Sequence, residues 1–129
     1  MTAQALECFT TGVLPEGLPF SSAVRVGDLV FVSGNIGNVA GGLALVEGGV
    51  AAETRQCLAH MKKGLEAAGS SVDRVAKCTV FLTDIAEFQA MNEAYAAFFG
   101  AHRPSRSTVA VKDLAAGAHV EIECIALAG

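Results

Sequence analysis

Basic side chains are scarce in this sequence. Nine Lys and Arg stand against 13 Asp and Glu among 129 residues, which gives a formal net charge of −4 and a pI of about 5.2. Proteins that bind nucleic acid without regard to sequence need positive charges to replace the counterions of the phosphates. No basic stripe is present here, so the sequence predicts no nucleic-acid partner.

Long apolar runs are absent as well. The longest uncharged run, residues 29–46, contains four glycines and two asparagines, which is typical of a strand followed by a glycine-rich loop rather than of a membrane helix. The first ten residues, "MTAQALECFT", lack the basic and apolar regions of a signal peptide. We therefore expect no membrane partner and a cytoplasmic location.

Cysteine and histidine show no metal-binding pattern. Cys8, Cys57, Cys78 and Cys124 form no CxxC pair, and the three histidines have no zinc-like spacing to them. This usage predicts reduced, mostly packed thiols and no metal. The chain also lacks a phosphate-binding G-x-G-x-x-G, a P-loop and a G-x-S-x-G elbow, so we expect no cofactor.

Apolar residues, in contrast, are abundant. They make up 52% of the chain, and the mean hydropathy is +0.46. At this length we expect a single domain over residues 1–129, whose interior is too small to bury all of that surface. The surplus predicts an interface between copies of the chain.

The order of patterns predicts an α+β fold, a single sheet with two helices on one face. The predicted strands are a hairpin over 23–33, then 74–83, 106–111 and 119–127, and the predicted helices are 50–68, stopped by Gly69, and the segment from Asp84 to Gly100. Asp84 and Glu87 are expected to form a capping box, and the aromatic stripe of the second helix to face the core. Residues 34–42, "GNIGNVAGG", are expected to be a loop. The strand segments "LVFV" and "CTVFL" are apolar on both faces, so the face away from the helices should meet another subunit.

Arg106 is the first candidate functional residue. Pro104 restricts Ser105 to extended geometry and so limits the backbone just before Arg106. A guanidinium held there suits a carboxylate bound through two hydrogen bonds. Two alternatives remain open at this point: an exposed arginine at a strand start, and a structural pair with an Asp or Glu.

Two carboxylates form the second candidate. In "HVEIECIALA" the strand alternation puts Glu121 and Glu123 on one face with two apolar residues. That face is either a solvated edge of the sheet or the wall of an interface cleft. In a cleft, a carboxylate positions and deprotonates a water molecule.

Five further segments are distinctive when taken together: "VRVGDLVFVSGNIG", "AAGSSVDRVAKCTVFLTD", "MNEAYAAFF", "HRPSRSTVAV" and "VEIECIAL". In this order they resemble the RidA/YjgF family of reactive-intermediate deaminases. The resemblance runs from about Pro19 to Leu127. It implies a chorismate-mutase-like homotrimer with a site at each subunit interface. It also implies hydrolysis of reactive 2-enamino and 2-imino acids to 2-keto acids and ammonia.

The resemblance assigns roles to four residues. Arg106 is implied to bind the substrate carboxylate, Glu121 to hold the attacking water, Gly34 to contact the ligand through its backbone and Asn92 to lie near the site.

Three departures from the family pattern alter the walls of the implied pocket. Phe20 stands in "LPFSS" where the family usually has tyrosine, "SGNIG" brings Asn35 and Gly37, and Thr108 stands where a cysteine is common. We expect Phe20 to favour substrates with more apolar side chains.

A second reading of the same resemblance is a non-catalytic trimer that binds a small carboxylate as a sensor or regulatory protein. Holdase-like and ribonuclease activities are also attributed to family members, and the low basic content argues against the latter here.

Overall fold

Six strands form one mixed sheet in the order β1-β2-β3-β6-β4-β5 in the computed structural model, which describes residues 5–129. The strands are Leu6–Phe9 (β1), Ala23–Val26 (β2), Leu29–Ile36 (β3), Val75–Leu82 (β4), Ser105–Ala110 (β5) and Val120–Leu127 (β6). The helices are Gly49–Ala67 (α1) and Phe88–Phe99 (α2). Strands β4 and β5 are parallel neighbours, and every other neighbouring pair is antiparallel.

The core lies between one face of this sheet and the two helices, as the sequence predicts. Alternate residues of β6 are buried, and the apolar side of α1 packs over them. The core members from these two elements are Val120, Ile122, Cys124, Ala126, Val50, Cys57, Leu58, Met61 and Leu65. Side chains on one face of a strand recur every two residues, and side chains on one side of a helix recur about every 3.6 residues. The apolar residues of β6 and α1 follow these two periods, so each element buries one side against the other.

One strand was not predicted from the sequence, and the start of one loop was predicted wrongly. The first strand, β1, was missed because its four residues, "LECF", are mostly exposed at the sheet edge and show no buried alternation. The predicted loop at residues 34–42 starts too early, because β3 continues through Ile36. A bulge at Ser33–Gly34 separates the Val32–Cys124 pair from the Asn35–Ile122 pair, so the strand resumes its pairing with β6.

The predicted capping box is also wrong. The Asp84 carboxylate accepts a hydrogen bond from the Ala86 N–H at 2.9 Å and caps a 3-10 turn, Ile85–Glu87. Helix α2 begins only at Phe88, and Glu87 makes no capping hydrogen bond. Both predicted helix stops are confirmed: Gly69 and Gly100 have φ of 81° and 63°, which glycine adopts at low cost.

The sheet face away from the helices is rich in exposed apolar side chains. Leu29, Phe31, Val109 and Leu127 are each more than 40% exposed on it. Isolated apolar residues are common on protein surfaces, whereas a group of this kind on one sheet face is typical of an interface. Among the described helices, none combines the length and apolarity needed to cross a membrane.

Candidate functional site

Arg106 lies on the helix side of the edge strand β5. It is paired with Cys78 of β4, whose side chain is fully buried beneath α2, so the alternation of both strands directs Arg106 to the same side. Its guanidinium carbon lies 4.7 Å from the ring centroid of Tyr95 and 5.5 Å from that of Phe88. These cation–π contacts fix the guanidinium against α2.

The guanidinium has no acidic partner within residues 5–129. The ion pair recorded there joins Glu53 to His119, and no carboxylate comes within ion-pair distance of Arg106. Arg106 instead borders a cleft of about 220 Å³, here called the Arg106 cleft, together with Asn92, Tyr95, Ala96, Phe99, His102, Arg103 and Pro104. The N–H groups of Arg106 are therefore available to an anion entering that cleft.

Thr108 lies two residues further along β5, on the same face as Arg106. Its hydroxyl oxygen is buried and has no hydrogen-bond partner among the described residues. A buried hydroxyl without a partner is costly, which makes it a candidate contact for a group supplied from outside the chain.

Glu121 borders a different and larger hollow of about 600 Å³, here called the Glu121 cavity. Its walls are mainly apolar, and its polar groups come from the two glutamates and Ser33. The lining residues are Leu14, Leu18, Phe20, Ser33, Gly34, Ile36, Leu43, Ala115, Glu121 and Glu123. Phe20 is 53% exposed at this cavity, so its ring is free to meet a ligand or another chain.

Gly34 is required by the position of the Glu121 side chain. A Cβ atom at Gly34 would overlap the Glu121 carboxylate, so any other residue there would displace that group. The bulge in β3 brings the Gly34 backbone to this point. Gly34 and Glu121 thus form one unit, a carboxylate lying directly over half-buried backbone.

The environment of Glu121 disfavours its charge. Burial in the cavity wall, and then the negative charge of Glu123, raise the pKa of Glu121 above its ordinary value. A carboxylate with a raised pKa is a stronger base once ionised, which suits proton transfer from water.

The two hollows lie on opposite faces of the sheet. Glu121 pairs with Phe81 of β4, whereas Arg106 pairs with Cys78, three residues away on the same strand. An odd separation along a strand means opposite faces. A small ligand cannot span the sheet, so one chain by itself does not bring Arg106 and Glu121 to the same molecule.

Three of the remaining predicted site residues line one of the two hollows, and Asn35 lines neither. Asn92 lines the Arg106 cleft, while Phe20 and Gly34 line the Glu121 cavity. The Asn35 side chain borders neither: it is buried, and its amide donates to the Ser33 carbonyl oxygen at 3.1 Å. Gly37 packs on α1, where an added Cβ would lie 2.5 Å from the Glu53 Cα.

Several lining residues were not found from the sequence. The aromatic stripe of α2 was interpreted as core, yet Phe88 is 39% exposed and, with Tyr95, contacts Arg106. Leu14, Leu18 and Leu43 lie in glycine- and proline-rich segments without periodicity. The sequence indicated them in one way only: they are large apolar residues in segments that otherwise read as loops.

Within residues 5–129, no group of three or more His, Cys, Asp or Glu is placed to hold a metal ion.

Comparison with known proteins resolves the family. The model of the family described as Endoribonuclease L-PSP matches residues 14–128. The 2-iminobutanoate/2-iminopropanoate deaminase of Homo sapiens is 40% identical over 111 residues, which cover 86% of this chain and 81% of that protein. The chain belongs to the RidA/YjgF family.

Two further relatives support this membership of the RidA/YjgF family. Protein HMF1 of Saccharomyces cerevisiae is 42% identical over 121 residues, covering 90% of this chain and 93% of its own. The crystal structure of E. coli TdcF with bound serine superposes with a TM-score of 0.85 at 35% identity, covering 95% of this chain and 99% of that one. Of these relatives, the human protein is named as an imine deaminase, and the structure of TdcF holds the amino acid serine.

Proposed function

We propose that this protein hydrolyses 2-imino acids, and the 2-enamino acids from which they form, to 2-keto acids and ammonia. The observation that carries the proposal is the pair of unmatched charges: a guanidinium without an acidic partner among the described residues, and a carboxylate whose pKa is raised and which lies over the Gly34 backbone. The names of the deaminase relatives support the reaction class.

The reaction needs both groups on one substrate. Arg106 binds the carboxylate of the imino acid and fixes its orientation. Glu121 orients a water molecule and accepts its proton as the water oxygen bonds to the carbon of the protonated imine; the C=N π pair moves to nitrogen, giving a carbinolamine. Protonated Glu121 then passes that proton to the amino nitrogen, and the C–N bond breaks as the hydroxyl oxygen forms the C=O bond and releases its proton, so that a keto acid and ammonia leave. No cofactor takes part in these steps.

A subunit interface is the simplest way to join the two halves, because they lie on opposite faces of each sheet. We propose a homotrimer in which the Arg106 cleft of one copy meets the Glu121 cavity of the next. The exposed apolar residues of the open sheet face would then be covered, as expected of an interface.

Light scattering at micromolar concentration should therefore give three times the 13.2 kDa mass of the chain. Replacing Phe31, on the open sheet face, with Glu should lower that mass, because a charge buried at an apolar interface is unfavourable. A monomeric mass for the wild type would contradict the shared site.

The activity itself is tested by generating imines in situ with an amino-acid oxidase and following keto acid and ammonia. The protein should accelerate both above the spontaneous rate. A protein that binds the keto acid, as measured by calorimetry, but leaves the rate unchanged would be the carboxylate sensor considered above.

Cytoplasmic location, like the absence of nucleic-acid and membrane partners, stays a prediction.

Phe20 is expected to set the preference among imines. Its ring and the leucines of the Glu121 cavity offer apolar surface, and a hydroxyl at this position would have to lose its water when a bulky apolar side chain enters. Such a loss costs roughly 1–3 kcal/mol in proteins. Phe20→Tyr should therefore shift preference toward the smallest imine, by roughly 10-fold or more in the ratio of kcat/KM values.

The comparison uses imines made from alanine and leucine, assayed with wild type and variant in parallel. Leu6→Ala, an exposed leucine on the edge strand away from the cavity, serves as the control. An identical profile for wild type and Phe20→Tyr would show that Phe20 does not shape the cavity.

A further inference from the structure

A polar stripe on α1 faces the two backbone segments that carry the Glu121 half of the site. It consists of Glu53, Gln56, Cys57 and His60, whose spacing of three and four residues places them on one side of the helix. Glu53 and His60 are each 2% exposed. A buried polar group without a hydrogen-bond partner is costly, and of the buried nitrogen and oxygen atoms in these four side chains only His60 Nδ1 has none among residues 5–129.

Glu53 binds the start of β6. One carboxylate oxygen accepts the backbone N–H of His119 at 2.9 Å, and the other accepts from the His119 ring nitrogen Nδ1 at 2.5 Å. Cys57 adds a weaker contact, from its thiol to the Val120 carbonyl oxygen at 3.7 Å. The two residues directly before Glu121 are therefore both held by α1.

The same stripe binds the segment that directly follows β3. Gln56 and His60 donate to the carbonyl oxygen of Asn38 at 3.0 and 2.8 Å. The backbone of Gly37 packs directly against Glu53. Since Ile36 is the β3 partner of Glu121 in an antiparallel pair, the segments held by α1 both lie at the same end of that pair, directly beside it.

We infer that Glu53 and His119 are positioning residues, which hold the start of β6 so that the Glu121 carboxylate lies over Gly34. This inference rests on the proposed function, because it assigns the pair a purpose in that reaction. Neither residue lines the Glu121 cavity, so the pair acts through the backbone. The contact is asymmetric: the Glu53 side chain is buried, while that of His119 is half exposed.

The charged groups near Glu53, His119 and Glu121 indicate how a variant of the Glu53–His119 pair should change the pH dependence of the reaction. The hydrogen bond and charge of Glu53 raise the pKa of His119, with a smaller contribution from Glu87. Glu121 faces Glu123, and its pKa is raised mainly by burial. If the start of β6 loosens, water reaches Glu121 more easily and its pKa falls toward the ordinary value.

The test compares His119→Ala with His119→Asn, whose amide N–H still reaches the Glu53 carboxylate. His119→Ala should lower kcat roughly 10-fold, since small misplacements of a reacting group have large effects on rate. KM should stay unchanged, because Arg106 is untouched. The acid limb of the kcat/KM profile should move to lower pH, and His119→Asn should restore both kcat and the limb.

Glu66→Gln, an exposed carboxylate on the same helix, is the matched control and should resemble wild type. Loss of kcat in His119→Ala with an unmoved acid limb would indicate only a smaller folded fraction and would overturn the inference. So would wild-type kinetics in that variant.

Hydrogen exchange provides an arm that does not depend on the reaction. Backbone amides of residues 119–122 should exchange faster in His119→Ala than in wild type, while those of β2 should not change. Unchanged exchange at residues 119–122 would overturn the inference even if the enzyme is active. Faster exchange in a protein that hydrolyses no imine would instead refute the proposed function and leave the structural part of the inference standing.

Discussion

Replacing Arg106 with alanine is expected to lower kcat/KM for imine hydrolysis by about two orders of magnitude. Each charge-assisted hydrogen bond to a carboxylate contributes roughly 1.5–3 kcal/mol, and about 1.4 kcal/mol corresponds to a factor of ten. The fold should persist, because the guanidinium has aromatic neighbours but no ion-pair partner in the described chain. Initial rates over a range of imine concentrations, with circular dichroism of the same samples, measure both effects.

Two further substitutions make this result specific. Arg106→Lys should recover little activity, because one ammonium cannot reproduce the planar fork that binds a carboxylate. Arg55→Ala removes an exposed arginine of α1 and should leave the rates unchanged. Full activity in Arg106→Ala would remove Arg106 from the mechanism, whereas unfolding of that variant would show that its role is structural.

Glu121→Gln is expected to lower the rate above the spontaneous background by roughly 100-fold, the lower end of what a general base contributes. Glutamine keeps the size of the side chain and accepts hydrogen bonds, but it cannot take a proton from water. A 2-keto acid should bind the variant as tightly as wild type in calorimetry, because the carboxylate contact lies on Arg106. An unchanged turnover would move water activation elsewhere, with Glu123 as the next candidate.

The pH dependence separates the roles of the two glutamates. Activity should fall as the pH drops through the raised pKa of Glu121, because the protonated acid cannot act as a base. Glu123→Gln removes the neighbouring negative charge, so the pKa of Glu121 should fall and the acid limb should move to lower pH. Its rate at neutral pH should stay near that of wild type. A limb that does not move would show that Glu121 is not the titrating group.

Periodicity predicted most of the fold because the helices and central strands bury one side each. Residues of β6 alternate so regularly that the side of Glu121 and Glu123 could be read directly from the sequence, and the structure agrees. The strand β1 was not predicted because it has only four residues and their side chains are mostly exposed, so they show no buried alternation. The extension of β3 past Ser33 was not predicted, because a bulge depends on how two strands pair. In the sequence itself its only mark is a glycine.

The candidate site was less accessible to sequence reasoning, since it depends on which side of the sheet each group lies. Nothing local in "HRPSRSTVAV" says whether Arg106 faces the helices or the open side. That is decided by its pairing with Cys78 in a parallel contact, which joins segments almost thirty residues apart. The Glu53–His119 contact spans a still longer separation, so no motif contains both members.

The location of Arg106 and Glu121 on opposite sides of one sheet has a genetic consequence. If sites are shared between copies as proposed, a defect in one chain is not confined to that chain. A subunit without Arg106 still offers an intact Glu121 half to its neighbour, and a subunit without Glu121 still offers the arginine. Two inactive alleles produced together would then rebuild complete sites in mixed trimers, an intragenic complementation that a site contained within a single chain does not allow.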